Sequence, residues 1–311
     1  MDRILVIGGN GFIGANLVNA LVGAGYKIVV FGPEVKNSNI KPSDSVDFVY
    51  GSLNESLRIK QIFQSYTISQ VIHLVSTMIP SSKSVDYCKE INNVILPTQV
   101  LLDEMRLNNV HKIVFISSGG TVYGSYKESG IYSEEDLKKP ISYYGLSKAQ
   151  LEDLILFHHR VHGLEYLILR PSNPFGRFQN LYGEQGIIPV TIGKIKQGEN
   201  VEIWGDGSVI RDFISIDYLV NAIVELINKG VVNEIVNIGS GVGYSIKEVI
   251  DMIGRNIDVH FKVSYNYSAR RNDVTKSILD TSKLRDLITI KSENIESAIR
   301  KFCHDSLKNM L

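Results

Sequence analysis

The stretch Ile4-Leu-Val-Ile-Gly-Gly-Asn-Gly-Phe-Ile-Gly14 constrains the fold of this chain more than any other part of it. A short β-rich apolar run passes directly into glycines at 8, 11 and 14, overlapping a second Gly-x-Gly-x-x-Gly at 9, 11 and 14, and a helix-length segment follows. Glycine permits the tight strand-to-helix turn, lets the backbone approach a ligand closely and leaves the amides of the helix start free to hold negative charge. In this position the motif predicts a βα unit that cradles a pyrophosphate, and hence a dinucleotide.

The same rhythm continues downstream. β-rich runs at 4–7, 28–31, 48–50, 71–75, 113–116 and 166–169 alternate with amphipathic stretches of helix length. Runs that are apolar on both faces belong in a parallel sheet covered by helices on each side, so the fold class is α/β, a Rossmann-like doubly wound parallel sheet. After Arg170 the alternation breaks down, with turn signals at Pro174, Gly186, Gly205-Asp-Gly207 and Gly239-Ser-Gly241. The expectation is a smaller C-terminal α/β substrate lid. Residues 1–172 then form the dinucleotide-binding domain, with a return segment near 211–239, and residues 173–210 and 240–311 form the substrate-binding domain. Ligands of open α/β sheets sit at the carboxyl ends of the strands, which places the site in the cleft between sheet and lid.

Composition narrows the chemistry. With 311 residues and 44% hydrophobic content the chain can bury a large core, and its 33 Lys+Arg balance 33 Asp+Glu. No global field recruits nucleic acid or an anionic membrane, so any anionic ligand must be held by local groups. Cys88 and Cys303 are the only cysteines and form no disulfide framework, and no Cys/His spacing suits a metal, which points to a reducing, cytoplasmic setting. No run approaches the ~18 apolar residues of a membrane helix and no signal segment precedes the first strand, so neither secretion nor membrane insertion is expected.

Tyr144-Gly-Leu-Ser-Lys148 sets a phenol and an ammonium on one face of a helix, because positions four apart share a face. A nearby ammonium favours phenolate and would bring a tyrosine, with an ordinary pKa of about 10, toward acid–base work near neutrality. With 15 tyrosines the spacing arises easily by chance, and Tyr123-Gly-Ser-Tyr-Lys127 repeats it. That copy follows the apolar run 113–116, carries Gly124 right after its tyrosine and reads as a loop, whereas Leu151, Leu154, Ile155 and Phe157 continue a helical stripe after Tyr144.

These residues together resemble the extended short-chain dehydrogenase/reductase family, its NAD-dependent epimerase/dehydratase group, and especially nucleotide-sugar epimerases of the UDP-glucose 4-epimerase type. The likeness spans nearly the whole chain. It rests on the glycine motif, Ser117-Ser-Gly-Gly-Thr-Val-Tyr-Gly124, Ser142-Tyr-Tyr-Gly-Leu-Ser-Lys148, Arg170-Pro-Ser-Asn-Pro-Phe-Gly176, Gly205-Asp-Gly-Ser-Val-Ile-Arg-Asp212 and Arg270-Arg-Asn-Asp273.

The resemblance implies NAD as cofactor, with NADP the alternative, held by Gly8, Gly11, Phe12, Ile13, Gly14, Leu53, Leu74, Val75, Ser76, Tyr144, Lys148 and Pro171. By the same likeness Tyr144 is the acid/base at a sugar hydroxyl and Lys148 binds the nicotinamide ribose. Family members carry Ser or Thr where this chain has Gly119, so the third hydroxyl comes from Ser118, which is favoured, or from Thr121. Asn173, Arg211 and Arg270 match residues that bind the substrate diphosphate, for which planar guanidinium forks are suited, and Ser118 and Tyr144 complete the substrate-binding set. A homodimer through helices around 99–107 and 148–157 is a further family expectation.

Two departures stand out. The second strand ends in Gly32-Pro33-Glu34, without the usual acid for the adenosine ribose and with only Lys36 nearby to meet a 2′-phosphate, so NAD and NADP both remain open. Gly51-Ser-Leu53 replaces the family's Gly-Asp-Leu, leaving Leu53 a backbone role. The leading expectation is a 4-epimerase of UDP-hexoses or UDP-N-acetylhexosamines that oxidises C4 transiently, in polysaccharide precursor synthesis. The alternative is an NAD(P)H-dependent reductase of a dTDP- or GDP-linked 4-keto-6-deoxy sugar. A non-catalytic dinucleotide sensor is a third reading, against which the Tyr144/Lys148 pair argues. The resemblance argues against a dehydratase, since that subgroup usually has Thr-Asp-Glu where this chain has Gly119-Gly120-Thr121, leaving no acids for water elimination.

Overall fold

The computed structural model describes residues 2–257, 259–267 and 274–308. Seven strands form the main sheet: β1 (Arg3–Ile7), β2 (Ile28–Gly32), β3 (Val46–Tyr50), β4 (Ile68–His73), β5 (Lys112–Ile116), β6 (Glu165–Pro171) and β7 (Glu234–Ile238). Their order is β7-β6-β5-β4-β1-β2-β3, and every neighbouring pair is parallel. Between β1 and β4 the order of connection reverses, which opens a crevice at their carboxyl ends.

Because successive side chains point to opposite faces, the strands feed two cores. Ile4, Val6, Val30, Ile116 and Leu169 pack with the helices Phe12–Gly23 and Ile216–Asn228. Leu5, Ile7, Phe31, Phe115 and Ile168 meet Ser56–Ser65, Leu96–Leu107 and Tyr143–His162 on the other side. This is the doubly wound arrangement that apolar runs on both faces require.

β4 is shorter at its end than its apolar run suggests. The ladder closes where the Leu74 amide donates to the Ile7 carbonyl (3.0 Å), and Ser76 and Thr77 turn away to bond the Glu90 carboxylate.

Beyond β6 short strands pair across long sequence separations. Ile210–Ser215 lies between Gly243–Ser245 and Lys276–Leu279, Lys276–Leu279 also pairs Ile131–Tyr132, and Asn173–Phe175 pairs Ile210–Ser215. A third apolar cluster, including Ile192, Val201, Phe213, Ile253, Ile299 and Phe302, joins the helices Ile187–Gln197, Ile246–Arg255 and Ile295–Leu307. Among the described residues no helix is long and apolar enough to cross a membrane, and no group of three His, Cys, Asp or Glu could hold a metal ion.

Candidate active site

A cavity of about 1150 Å³ lies at the carboxyl ends of β1, β4, β5 and β6. Of the residues singled out from sequence, Gly8, Gly11, Phe12, Ile13, Gly14, Leu74, Ser76, Ser118, Thr121, Tyr144, Lys148, Pro171, Asn173 and Arg211 all line it. Leu53 and Val75 do not: Leu53 is buried in the core around Phe31 and Ile59, and Val75 packs against the same cluster. Arg270 lies outside the described residues.

The glycine turn is built for close approach. A Cβ at Gly14 would stand 2.3 Å from the Gly8 carbonyl oxygen and 2.7 Å from the Gly9 Cα, so only hydrogen fits, and Gly8 itself adopts φ +84°. Gly11 caps the 12-residue helix Phe12–Gly23 without any side-chain bond, leaving first-turn amides to the cavity. Unpaired amides and the helix dipole there suit a pyrophosphate, so the residues present fit a dinucleotide. At the end of β2, Glu34 is exposed, and the following loop is held instead by Asn10, whose Nδ2 donates to the Pro33 carbonyl (3.1 Å) and whose Oδ1 accepts from Ser38 (3.3 Å).

The second half of the site is carried by the helix Tyr143–His162. Ser142 caps it, its hydroxyl accepting from the Gly145 amide (3.1 Å), and Gly163 ends it with φ 71°. Its inner stripe of Ser147, Lys148, Leu151, Glu152 and Ile155 is buried against the sheet. Lys148 Nζ donates to the Ile116 carbonyl (2.9 Å) and lies 5.8 Å from the centroid of the Tyr144 ring. Ser118, at the end of β5, hydrogen-bonds Tyr144 and favours its phenolate. Thr121 Oγ1 and Ser172 Oγ, on residues that also line the cavity, are buried with no hydrogen-bond partner among the described residues.

Gly119 has a steric reason. A Cβ there would stand 2.6 Å from Leu279 Cδ1 and 2.9 Å from the Arg170 carbonyl oxygen. The Lys276–Leu279 strand fills the space that a side chain would need.

Electrostatics correct one expectation. Tyr144 is not drawn toward neutrality: burial, then the Glu90 carboxylate, pushes its phenol up to about 12, with the Ser118 bond acting the other way. Burial pulls Lys148 down to about 8, against the raising influence of Glu90 and Glu152. Desolvation is the largest influence on both groups.

The repeated Tyr-x-x-x-Lys is unrelated to the site. Tyr123 is buried, accepts from Arg170 Nη1 (2.8 Å) and donates to Asn237 Oδ1 (2.7 Å), while Lys127 pairs with Asp136 (2.7 Å). His73 and His158 are tied into the packing: His73 Nε2 bonds Thr98 Oγ1 (2.9 Å), and burial lowers its pKa to about 3, while His158 Nε2 bonds Gln99 Oε1 (3.1 Å).

Asn173 and Arg211 stand on paired strands. Asn173 Nδ2 donates to the Asp212 carbonyl (2.8 Å), and Arg211 Nη1 to the Ile210 carbonyl (3.0 Å). Sequence reasoning missed three contributors: the Met78–Ser82 loop, the Glu184–Pro189 segment, both lining the cavity, and Glu90 behind it. The loops carry no motif. Glu90 did carry a signal, a carboxylate in line with Val94, Thr98 and Leu101 at helical spacing.

A doubly wound parallel sheet whose glycine turn and Tyr-x-x-x-Lys helix open on one cavity defines a nicotinamide-dinucleotide enzyme of the extended short-chain dehydrogenase/reductase class. Residues 4–239 match the NAD-dependent epimerase/dehydratase family, and the chain belongs to it. It is 33% identical over 290 residues to a putative UDP-glucose 4-epimerase of Methanocaldococcus jannaschii, covering 91% of this chain and 92% of that one. It is also 33% identical over 258 residues to a dTDP-4-dehydro-6-deoxyglucose reductase of Escherichia coli, covering 81% of each. The fold superposes with a TM-score of 0.91 and 28% identity on a Thermotoga maritima UDP-glucose 4-epimerase solved with UDP-glucose, covering 99% of this chain and 100% of that one.

Proposed function

We propose that the protein is a nucleotide-sugar 4-epimerase acting on a UDP-hexose or UDP-N-acetylhexosamine with NAD. The observation that carries this reading is the meeting of Ser118, Tyr144 and Lys148 with the glycine turn, Asn173 and Arg211 on one cavity. The Methanocaldococcus and Thermotoga relatives support the choice of sugar nucleotide.

The free amides in the first turn of Phe12–Gly23 would hold the pyrophosphate of the dinucleotide, and Lys148 would hold the ribose beside the nicotinamide. When bound, the nicotinamide supplies a hydride acceptor for C4 of the sugar and a donor for its return. Tyr144 Oη takes the C4 hydroxyl proton and gives it back, while Ser118 steadies that hydroxyl and the phenolate. Arg211 and Asn173 grip the diphosphate, together with Arg270, so that the hexose can turn about a fixed anchor. The elements after β6 act as the substrate-binding portion. The protein works in the cytoplasm as a homodimer, for which the exposed Leu96, Val100, Leu107, Phe157 and Val161 on two neighbouring helices offer an apolar face.

The test is to denature the purified protein, identify any released dinucleotide, and incubate native protein with UDP-hexoses without added cofactor, following the sugars by NMR. Inversion at C4 with co-purified NAD is expected; absence of inversion on every UDP-sugar overturns the reading. A second reading, an NADPH-dependent reductase of a 4-keto-6-deoxy sugar nucleotide, is favoured by the missing acid at Gly32 and the E. coli relative. NADPH consumption with dTDP- or GDP-linked keto sugars would establish it.

A further inference from the structure

We propose that Glu90 is a positioning residue of the active site: its buried carboxylate supplies the counter-charge to the Lys148 ammonium and pins the turn after β4, which lines the cavity, to the catalytic helix. The proposal rests on the reading of Tyr144 and Lys148 as the acid–base pair.

Glu90 ends the helix Ser84–Glu90, which runs on through a π-helical turn, Ile91–Ile95, into Leu96–Leu107. Such turns recur at functional positions, because the extra residue re-aims the side chains around them. Glu90, Val94, Thr98, Leu101 and Met105 form one buried stripe against the sheet, and in it the carboxylate is 0% exposed. An ionised carboxylate is kept in such a place only when its lone pairs and its charge are both answered.

The lone pairs are answered by Ser76 Oγ (2.9 Å), the Thr77 amide (2.8 Å), Thr77 Oγ1 (2.5 Å) and Ser147 Oγ (3.1 Å). These donors lie on the two segments that frame the cavity. Ser76 and Thr77 begin the Ser76–Ser82 loop over it, and Ser147 immediately precedes Lys148. One carboxylate therefore fixes the loop relative to the helix that carries Tyr144 and Lys148.

All of these donors are neutral, so the charge is answered elsewhere. The groups facing Lys148 are Glu90 from the Ser84–Glu90 helix, Glu152 and Tyr144 from its own helix, and His73 from the end of β4. Glu152 is already bridged by Arg170 (2.7 Å) and Lys138 (3.5 Å), and His73 is neutral. Among the described residues that leaves Glu90 as the carboxylate whose charge is available to Lys148. It acts on both members of the pair in one direction, raising Lys148 against burial and adding to the rise of Tyr144. Its charge favours the ammonium form of Lys148 against burial.

The test follows the titration of Lys148 by NMR in protein labelled at lysine 13Cε, with the resonance assigned by its loss in Lys148→Met. Glu90→Gln, nearly isosteric but uncharged, is expected to lower the Lys148 midpoint by about one pH unit, the lower end of the range for a close opposite charge. The alkaline limb of kcat should move to acid by the same amount. Glu90→Asp keeps the charge and should keep the midpoint while its Tm falls through the shorter reach. A merely structural Glu90 gives the reverse order, with Gln close to wild type and Asp the more damaged, and that result overturns the proposal. If Glu90→Gln does not fold, the reciprocal titration carries the test: the Glu90 13Cδ midpoint should rise in Lys148→Met, which removes the ammonium, and a midpoint unmoved from wild type overturns the proposal. The titration needs no sugar. A shifted midpoint in a protein that turns over no UDP-hexose supports the role of Glu90 and removes the assigned reaction instead.

Discussion

Arg170→Met tests the polar centre beneath the active site. Arg170 is 2% exposed, with Nε and Nη2 on the two oxygens of Glu152 (3.0 and 2.7 Å) and Nη1 on the Tyr123 hydroxyl (2.8 Å). Methionine fills much of the volume but leaves Glu152, itself 0% exposed, with the Ser117 hydroxyl (2.5 Å) and Lys138 at 3.5 Å. Breaking a buried ion pair by removing one partner costs about 3–5 kcal/mol, and the donor lost at Tyr123 adds roughly 1 kcal/mol. The expected loss is therefore about 4–6 kcal/mol, a large part of the roughly 5–15 kcal/mol by which native proteins are stable. Urea unfolding, followed by circular dichroism and by fluorescence of the single tryptophan, Trp204, measures it. Arg170→Met/Glu152→Met removes both charges and should recover more than half of the loss, since an apolar pair of similar volume can replace a buried ion pair. A loss below about 1 kcal/mol for the single variant, or a double variant less stable than the single one, refutes the reasoning.

Tyr144→Phe should lower kcat by about 10²–10⁴, the contribution typical of a positioned acid–base group, while the dinucleotide still co-purifies; equal loss of cofactor would make Tyr144 a binding group. Gly119→Ser, which restores the hydroxyl position usual in the family, should destabilise the protein by roughly 1–3 kcal/mol through overpacking against Leu279 and the Arg170 carbonyl. A variant as stable as wild type and more active would contradict that crowding. Gly14→Ala places a methyl group against backbone that cannot yield, and loss of co-purified dinucleotide is expected on denaturation and chromatography. His73 sets an acid limb on stability. Its folded pKa, lowered by burial to about 3 from 6.5, means that the unfolded chain binds the extra proton, so stability is present above 6.5 and is lost as pH falls from there toward 3. The slope is at most about 1.4 kcal/mol per pH unit, and His73→Gln should flatten it in melts taken between pH 4 and 7.

Much of the main sheet was legible because it obeys local rules. Glycines at 8, 11 and 14 must turn a strand into a helix, apolar runs on both faces must lie between helix layers, and the stripe after Tyr144 must bury one side of its helix. The sequence marked fourteen of the cavity residues for the same reason, since they sit in motifs at strand ends and helix starts. It could not weigh burial against charge: a lysine four residues away predicted a lowered Tyr144 pKa, whereas desolvation and Glu90, 54 positions upstream, raise it.

By itself, then, the sequence determined the doubly wound class, the glycine turn and the spacing of Tyr144 and Lys148, all of which depend on neighbours within one or two turns of the chain. Tertiary structure alone decided the rest. It dissolved the second Tyr-x-x-x-Lys by burying Tyr123 under Arg170, explained Gly119 by bringing Leu279 against it, and paired Ile131–Tyr132 with Lys276–Leu279. It also set Glu90 behind the site through donors at Ser76, Thr77 and Ser147. Each of these depends on contacts between distant segments, and desolvation, steric exclusion and long-range pairing have no period that a single strand or helix can show.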